Sequence, residues 1–251
     1  MAAHAFQVDP FASKLKEGGR PDCGGLVLVV GWGWGEDSST RYEILASDMA
    51  ALCPDSLHVY DAGHLHCTVA TLSSFKNSKS VFFKASAADR DRAIQAWNRA
   101  LTAAFARIKP AWPFELVFRL LEISPAATFL KADDASNTME TLRSAVKEAA
   151  EDPLLHELSA ELEDKYRGDD PEILSLQAAI HVPDIIHSTV MRLASEPPNA
   201  RRLAEELAGL SARWAPATVR VDKISLVYEK HPYMHMNRAD GLAHSFVSPF
   251  C

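Results

Sequence analysis

The tetrapeptide His66-Cys67-Thr68-Val69 recurs, with one change, as His187-Ser188-Thr189-Val190. Both copies lie in apolar surroundings that read as strands, Leu65 to Leu72 and Ile185 to Leu193. Residues two apart on a strand share a face. His66 and Thr68 therefore present an imidazole and a hydroxyl side by side, and so do His187 and Thr189. Cys67, Val69, Ser188 and Val190 turn to the other face, toward a core. Two such strands facing each other make a cleft with two histidines and two threonines. That set supplies a general acid, a general base and two hydroxyl donors for an oxyanion.

The rest of the chain alternates strands with helices. Residues 1–25 show no sustained period and are expected to form a loosely held N-terminal extension. Leu26 to Val30 is an unbroken apolar run and predicts a buried strand. Gly31-Trp32-Gly33-Trp34-Gly35 follows without the Lys-Ser or Lys-Thr of a phosphate-cradling loop, so it reads as a flexible connection. Thr40 with Glu43 predicts a capping box opening a helix to Leu52, and Leu57 to Tyr60 a short strand. Ser73 to Lys84 reads as a long loop. Ser86 and Asp89 cap a helix whose face is Ile94, Trp97, Leu101, Phe105 and Ile108. Strands follow at Phe114 to Ile123 and Ala127 to Lys131. Asn137 with Glu140 starts one helix, and Pro153 opens another. A short helix is expected over Glu172 to Ala179, and a helix capped by Asn199 after it. Ala217 to Tyr228 reads as a strand pair or one long strand, and Leu242 to Val247 as a last strand.

The paired motif resembles the signature of the two-histidine (2H) phosphoesterase superfamily, His-x-Thr or His-x-Ser flanked by hydrophobic residues and repeated once in a chain. The resemblance implies an α+β fold of two pseudo-symmetric lobes, each an antiparallel sheet with helices outside, and a site in the cleft between them. Residues 26–251 would then be a single bilobal domain. The implied chemistry is phosphodiester hydrolysis without metal or other cofactor. His66 and His187 would exchange protons, and Thr68 and Thr189 would bind the non-bridging oxygens. The substrate would be a small 2′,3′-cyclic phosphate or a short RNA end. RNA-end ligation, cleavage of 2′,5′-linked oligonucleotides, and nucleotide binding without catalysis stand as alternatives.

The resemblance also points to Arg192, five residues after His187, as a phosphate contact. Strict alternation turns Arg192 away from His187, so the contact requires a local twist or bulge. The first motif has Leu72-Ser73 where a matching basic residue would be sought. Tyr228 and Lys223 would border the cleft, with Tyr228 stacking on a base. His64-Leu65-His66 invites a zinc reading, but Cys67-Thr68 does not supply the further ligands such a string requires.

Composition narrows the partners. The 251 residues carry 33 acidic and 26 basic side chains, a net charge of −7, which disfavours tight binding along a long nucleic acid. A single nucleotide needs only a few local donors. Cys23, Cys53, Cys67 and Cys251 lack Cys-x-x-Cys spacing and read as free thiols in a reducing compartment. Neither a signal peptide nor a membrane-spanning run is apparent. The expectation is a cytoplasmic monomer, with nucleus or organelle left open.

Overall fold

β1 (Gly25–Val30) is buried along its whole length. In the computed structural model, which describes residues 6–20, 23–108, 112–168, 172–236 and 238–247, it is an inner strand of a four-stranded antiparallel sheet. Its neighbours are β3 (Cys67–Ser73) and β8 (Lys223–Glu229), and β9 (Leu242–Val247) closes the far edge. Leu26, Leu28 and Val30 point into the main core, while Val27 and Val29 meet Trp32, Val227, Met234 and Met236 on the other face. A strand covered on both faces has no position for a polar residue, hence the unbroken run.

The second sheet has five antiparallel strands in the order β2 (Leu57–Val59), β6 (His187–Leu193), β5 (Thr128–Asp133), β4 (Phe114–Ile123) and β7 (Ala217–Val221). β7 alternates strictly between buried and exposed residues, as an edge strand with one wet face should. Helices cover the sheets on one side. α4 (Ala87–Ile108) and α5 (Thr138–Ala149) pack with the first sheet and with each other, and α6 (Pro153–Arg167) packs against α4. α2 (Glu36–Leu52) and α7 (Ala200–Arg213) pack on the second. One apolar core runs through both lobes. The fold is therefore α+β with two antiparallel sheets in two lobes, as the resemblance carried by the duplicated motif implied. No helix among the described residues is long and apolar enough to cross a membrane.

Several local expectations hold for the stated physical reasons. The Ser86 hydroxyl accepts from the Asp89 amide at 3.2 Å, and Asn199 accepts from the Arg202 amide at 2.9 Å, so both caps form. Cys53 and Cys67 are free thiols, the Cys23 thiol donates to the Glu229 carbonyl at 3.0 Å, and Cys251 lies outside the described residues.

Others are corrected. Residues 6–20 are not loose. Asp9 caps α1 (Pro10–Lys16), accepting from the Phe11 and Ala12 amides, and the Asp9 amide donates to the Leu193 carbonyl at 2.8 Å. α2 begins at Glu36 rather than Thr40, because Glu36 and Asp37 already suit a helix N-terminus. The Thr40 hydroxyl then bonds back to the Glu36 carbonyl. Asn137 precedes α5 in a left-handed conformation and does not cap it. The Asp134 carboxylate takes the Met139 amide instead, at 2.7 Å. Residues 73–84 end in a short helix, α3 (Val81–Lys84). Residues 172–179 form no helix, since their backbone is drawn into bonds with that segment: Leu174 donates to Lys79 and accepts from Val81. β7 and β8 are two strands but not a pair. Asp222 alone separates them, and they enter different sheets.

Candidate active site

The motif strands approach each other along their edges. β3 is the outer strand of its sheet. β2 pairs only with Met191–Leu193 of β6, which leaves the edge of β6 open beside His187 and Thr189. The His66 amide donates across the gap to the Ser188 hydroxyl at 3.3 Å. Within each motif the alternation is as expected: Cys67, Val69, Ser188 and Val190 are buried, whereas His66, Thr68, His187 and Thr189 are half-buried. Thr68 pairs with Val29, which fixes the face of the first sheet that borders the cleft.

Both strands then break step at the same place. On β3, Val29 pairs with Thr68 but Leu28 pairs with Ala70. On β6, Phe129 pairs with Thr189 but Thr128 pairs with Met191. Each strand therefore carries one extra residue, a β-bulge, just after its threonine. The bulge places two consecutive buried residues, Val69-Ala70 and Val190-Met191, and returns the fifth residue after each histidine to the cleft face. On β6 that residue is Arg192. On β3 it is Thr71, not Leu72 or Ser73.

Arg192 is held firmly. Its Nε donates to the Tyr60 hydroxyl at 3.0 Å and Nη1 to the Asp9 carboxylate at 3.4 Å, and the guanidinium lies 4.1 Å from the centre of the Tyr233 ring. Nη2 takes no part in these bonds. Tyr233 also donates its hydroxyl to Asp9, and Lys76 sits 3.4 Å from the same carboxylate. Burial would raise the Asp9 carboxyl, but the Tyr233 hydroxyl, Lys76, the Ala12 amide and Arg192 together hold it below its usual range.

The two histidines differ in their second nitrogen. His66 Nδ1 lies 2.8 Å from the His64 carbonyl, which can only accept, so Nδ1 carries the proton and Nε2 keeps a lone pair. His187 Nδ1 is buried without a hydrogen-bond partner. The Ile185 carbonyl, two residues back, lies close enough to favour a charged ring but outside hydrogen-bonding geometry. Burial pushes His66 down to about 4; the His64 carbonyl opposes this, and charge on His187, His64 and Arg192 adds to it. Burial also lowers His187, helped by Arg143 and Arg192 and opposed by the Ile185 carbonyl and Glu122. Arg192 is thus felt at both imidazoles. The Cys67 thiol is buried and pushed well up, which suits packing rather than nucleophilic attack.

Tyr228 is elsewhere. It pairs with Leu26 and shares the helix-covered face, against Phe82 and 5.8 Å from the Arg90 guanidinium. It lines a separate hollow with Phe83, Arg90 and Lys230. The expected base-stacking position is therefore corrected: the cleft side of β8 is that of Ser225 and Val227. The aromatic side chains beside Arg192 are Tyr60 and Tyr233, and Phe129 packs 5.0 Å from the His187 ring. Residue spacing alone does not find these, nor His235, whose ring packs on His58, Tyr60 and His64 at 4.4–4.8 Å. Among the described residues no group of His, Cys, Asp and Glu is arranged to hold a metal ion.

The chain is thus a two-lobed α+β protein whose two His-x-Thr strands lie edge to edge. Solved structures similar to it include TT0787 of Thermus thermophilus, at 15% identity over 89% of this chain and 97% of that one, with a TM-score of 0.46. A conserved protein of unknown function from Agrobacterium tumefaciens str. C58, ATU0111, is 14% identical over 94% of this chain and 88% of its own, with a TM-score of 0.47. LigT of E. coli, solved with 3′-AMP, is 14% identical over 90% of this chain and 98% of its own, with a TM-score of 0.44. No protein-family model and no curated protein matches the sequence. With TM-scores below 0.5, these likenesses leave the activity to be read from the chain's own residues.

Proposed function

We propose that the protein is a phosphodiesterase of the two-histidine kind, hydrolysing a small 2′,3′-cyclic phosphate or acting on an RNA end without a metal. The observation that carries this reading is the matched pair of bulged strands, each with His, Thr and a third polar residue on its cleft side. In the proposed reaction a water oxygen attacks phosphorus while one imidazole takes its proton. The bond from phosphorus to one ribose oxygen breaks, and the other imidazole protonates that oxygen. Thr68 and Thr189 donate to the non-bridging oxygens as charge gathers there. Arg192 offers Nη2 to the phosphate, with its orientation already set by Tyr60 and Asp9.

The test is a substrate panel of 2′,3′-cyclic nucleotides, RNA ending in a cyclic phosphate, and 2′,5′-linked oligomers, run with and without chelator. Turnover of a cyclic phosphate that a chelator leaves unchanged is the expected result. Loss of activity in chelator would favour a metal hydrolase. Nucleotide binding with no turnover across the panel would favour a binding protein.

A further inference from the structure

Arg143 is a buried arginine on α5, 4% exposed, whose Nη2 donates to the Ile185 carbonyl at 2.8 Å. Its Nε is buried and has no partner among the described residues. A buried cation whose bonded acceptor is neutral is costly to keep; Glu140 on the same helix and Asp184 offset part of this by charge alone, and apolar side chains would fill the space at less expense. Its location suggests what offsets that cost. Ile185 is two residues before His187, so its carbonyl corresponds in the second motif to the His64 carbonyl that takes the His66 Nδ1 proton in the first. In the first lobe the histidine bonds its carbonyl. In the second, an arginine reaches the carbonyl and the histidine does not.

We propose that Arg143 is a positioning residue that makes the two histidines inequivalent: bonded to the Ile185 carbonyl, it sets that carbonyl and its own charge beside His187, whose Nδ1 lacks the backbone lock of His66, fitting His66 as base and His187 as acid. This deepens the hydrolase reading above and rests on it for the roles, though not for the geometry. A base must offer a lone pair toward the substrate, and the locked Nδ1–H of His66 leaves Nε2 free to do so. An acid must give its proton up. An imidazolium at His187 has no bond to its nearest Nδ1 acceptor, the Ile185 carbonyl, and a guanidinium bonded to that carbonyl, which weakens its hold on the proton. The other charges facing His187 are Arg192 on its own strand, Lys131 opposite on β5, Glu122 on β4 and His66 across the cleft. Arg143 is the one bonded to the carbonyl.

The experiment is nitrogen-detected NMR titration of both histidines, first in the unaltered protein. His66 is expected as the Nδ1–H tautomer and His187 not; finding His187 locked as Nδ1–H like His66 would overturn the proposal without any variant. In Arg143→Gln the His187 titration should move up while His66 stays in place, and turnover of a cyclic phosphate should fall roughly ten- to hundredfold from the misset acid. Arg143→Lys, which keeps the charge, should return the His187 titration part of the way. An unmoved His187 titration in Arg143→Gln, with only a lower Tm, would reduce Arg143 to a core tie. If no substrate is turned over, the hydrolase reading falls while the titrations still decide what Arg143 does to His187.

Discussion

β3 and β6 have the same build and different surroundings. Each gives a histidine, a buried residue, a threonine, two buried residues at a bulge, and a third cleft-facing side chain. On β3 that third side chain is Thr71, on an outer strand whose far side approaches β6 and bridges to His181. On β6 it is Arg192, on an inner strand surrounded by Asp9, Tyr60 and Tyr233. The repeat fixes where side chains stand, and the environment of each copy fixes what they can do. The lobes thus share a scaffold while one holds the cation and the other holds the locked imidazole.

The largest expected effect tests what the lobes share. His66→Ala and His187→Ala should each lower kcat on the order of 10²–10⁴-fold, the usual worth of a positioned acid or base. Thr68→Val and Thr189→Val should each cost roughly 10²–10³-fold, as for a lost oxyanion donor. The double histidine variant should lose much less than the product of the single losses. Steady-state kinetics on a cyclic phosphate measures all of these. Near-normal turnover in either single histidine variant would break the equivalence of the two strands.

What the lobes do not share should appear next. Arg192→Gln removes a charge-assisted donor and should raise KM by about ten- to hundredfold, whereas Thr71→Val removes a neutral donor and should raise it by less than about tenfold. Arg192→Lys should recover little, because a point charge cannot reproduce the guanidinium fork that Tyr60, Asp9 and Tyr233 hold. Equal effects at positions 71 and 192 would mean that Arg192 is engaged only in structure.

Much of this is legible in the sequence, and the misses have physical causes. The two motif strands and their buried partners follow from period and pattern, and the fold class from the resemblance that the duplicated motif carries. The face of Arg192 does not follow from alternation, because a bulge changes parity without needing a glycine. Its trace is the apolar doublet after each threonine, Val69-Ala70 and Val190-Met191. The face of Tyr228 is legible: on β8 Ile224, Leu226 and Tyr228 share one side and Lys223, Ser225 and Glu229 the other, which puts Tyr228 with the core, as its register with β1 does. Asp9-Pro10 is a cap signature, present in the sequence but set in a stretch too short to show a helical period. Its carboxylate is what ties the N-terminal segment to Arg192.

Acid should weaken the site before it affects the rest of the molecule. His58 and His66 are pushed down to about 4 and His235 to about 2, in each case first by burial and then by neighbouring charge. In the unfolded chain each would take up a proton near ~6.5. Their contribution is fully present above that value and is lost as pH falls toward the folded values, because the unfolded state then binds more protons. Tm should decline between pH 7 and pH 4, and His235→Gln should make the decline shallower. A Tm flat across that range would argue against a neutral, buried histidine cluster between the lobes.

The smallest expected effect separates two tyrosines five residues apart. Tyr228 and Tyr233 are both aromatic, both partly buried and both near the end of the first sheet. Tyr228 lies behind the sheet, against Phe82 and toward Arg90 on α4. Tyr233 lies in front of it, under the Arg192 guanidinium and bonded to Asp9. Tyr228→Leu should lower Tm slightly, by the loss of an aromatic contact worth about 1 kcal/mol. Its kcat and KM should stay within about twofold of the unaltered protein, as for a change remote from bound substrate. Tyr233→Leu removes the ring that carries Arg192 and the hydroxyl that steadies Asp9, so it should raise KM in the same direction as Arg192→Gln, by less. The comparison needs only the two single variants and one substrate. A rise in KM for Tyr228→Leu as large as that for Tyr233→Leu would mean that substrate reaches around the edge of the sheet to the hollow beside Arg90, and that the cleft between the two motif strands is only part of the binding surface.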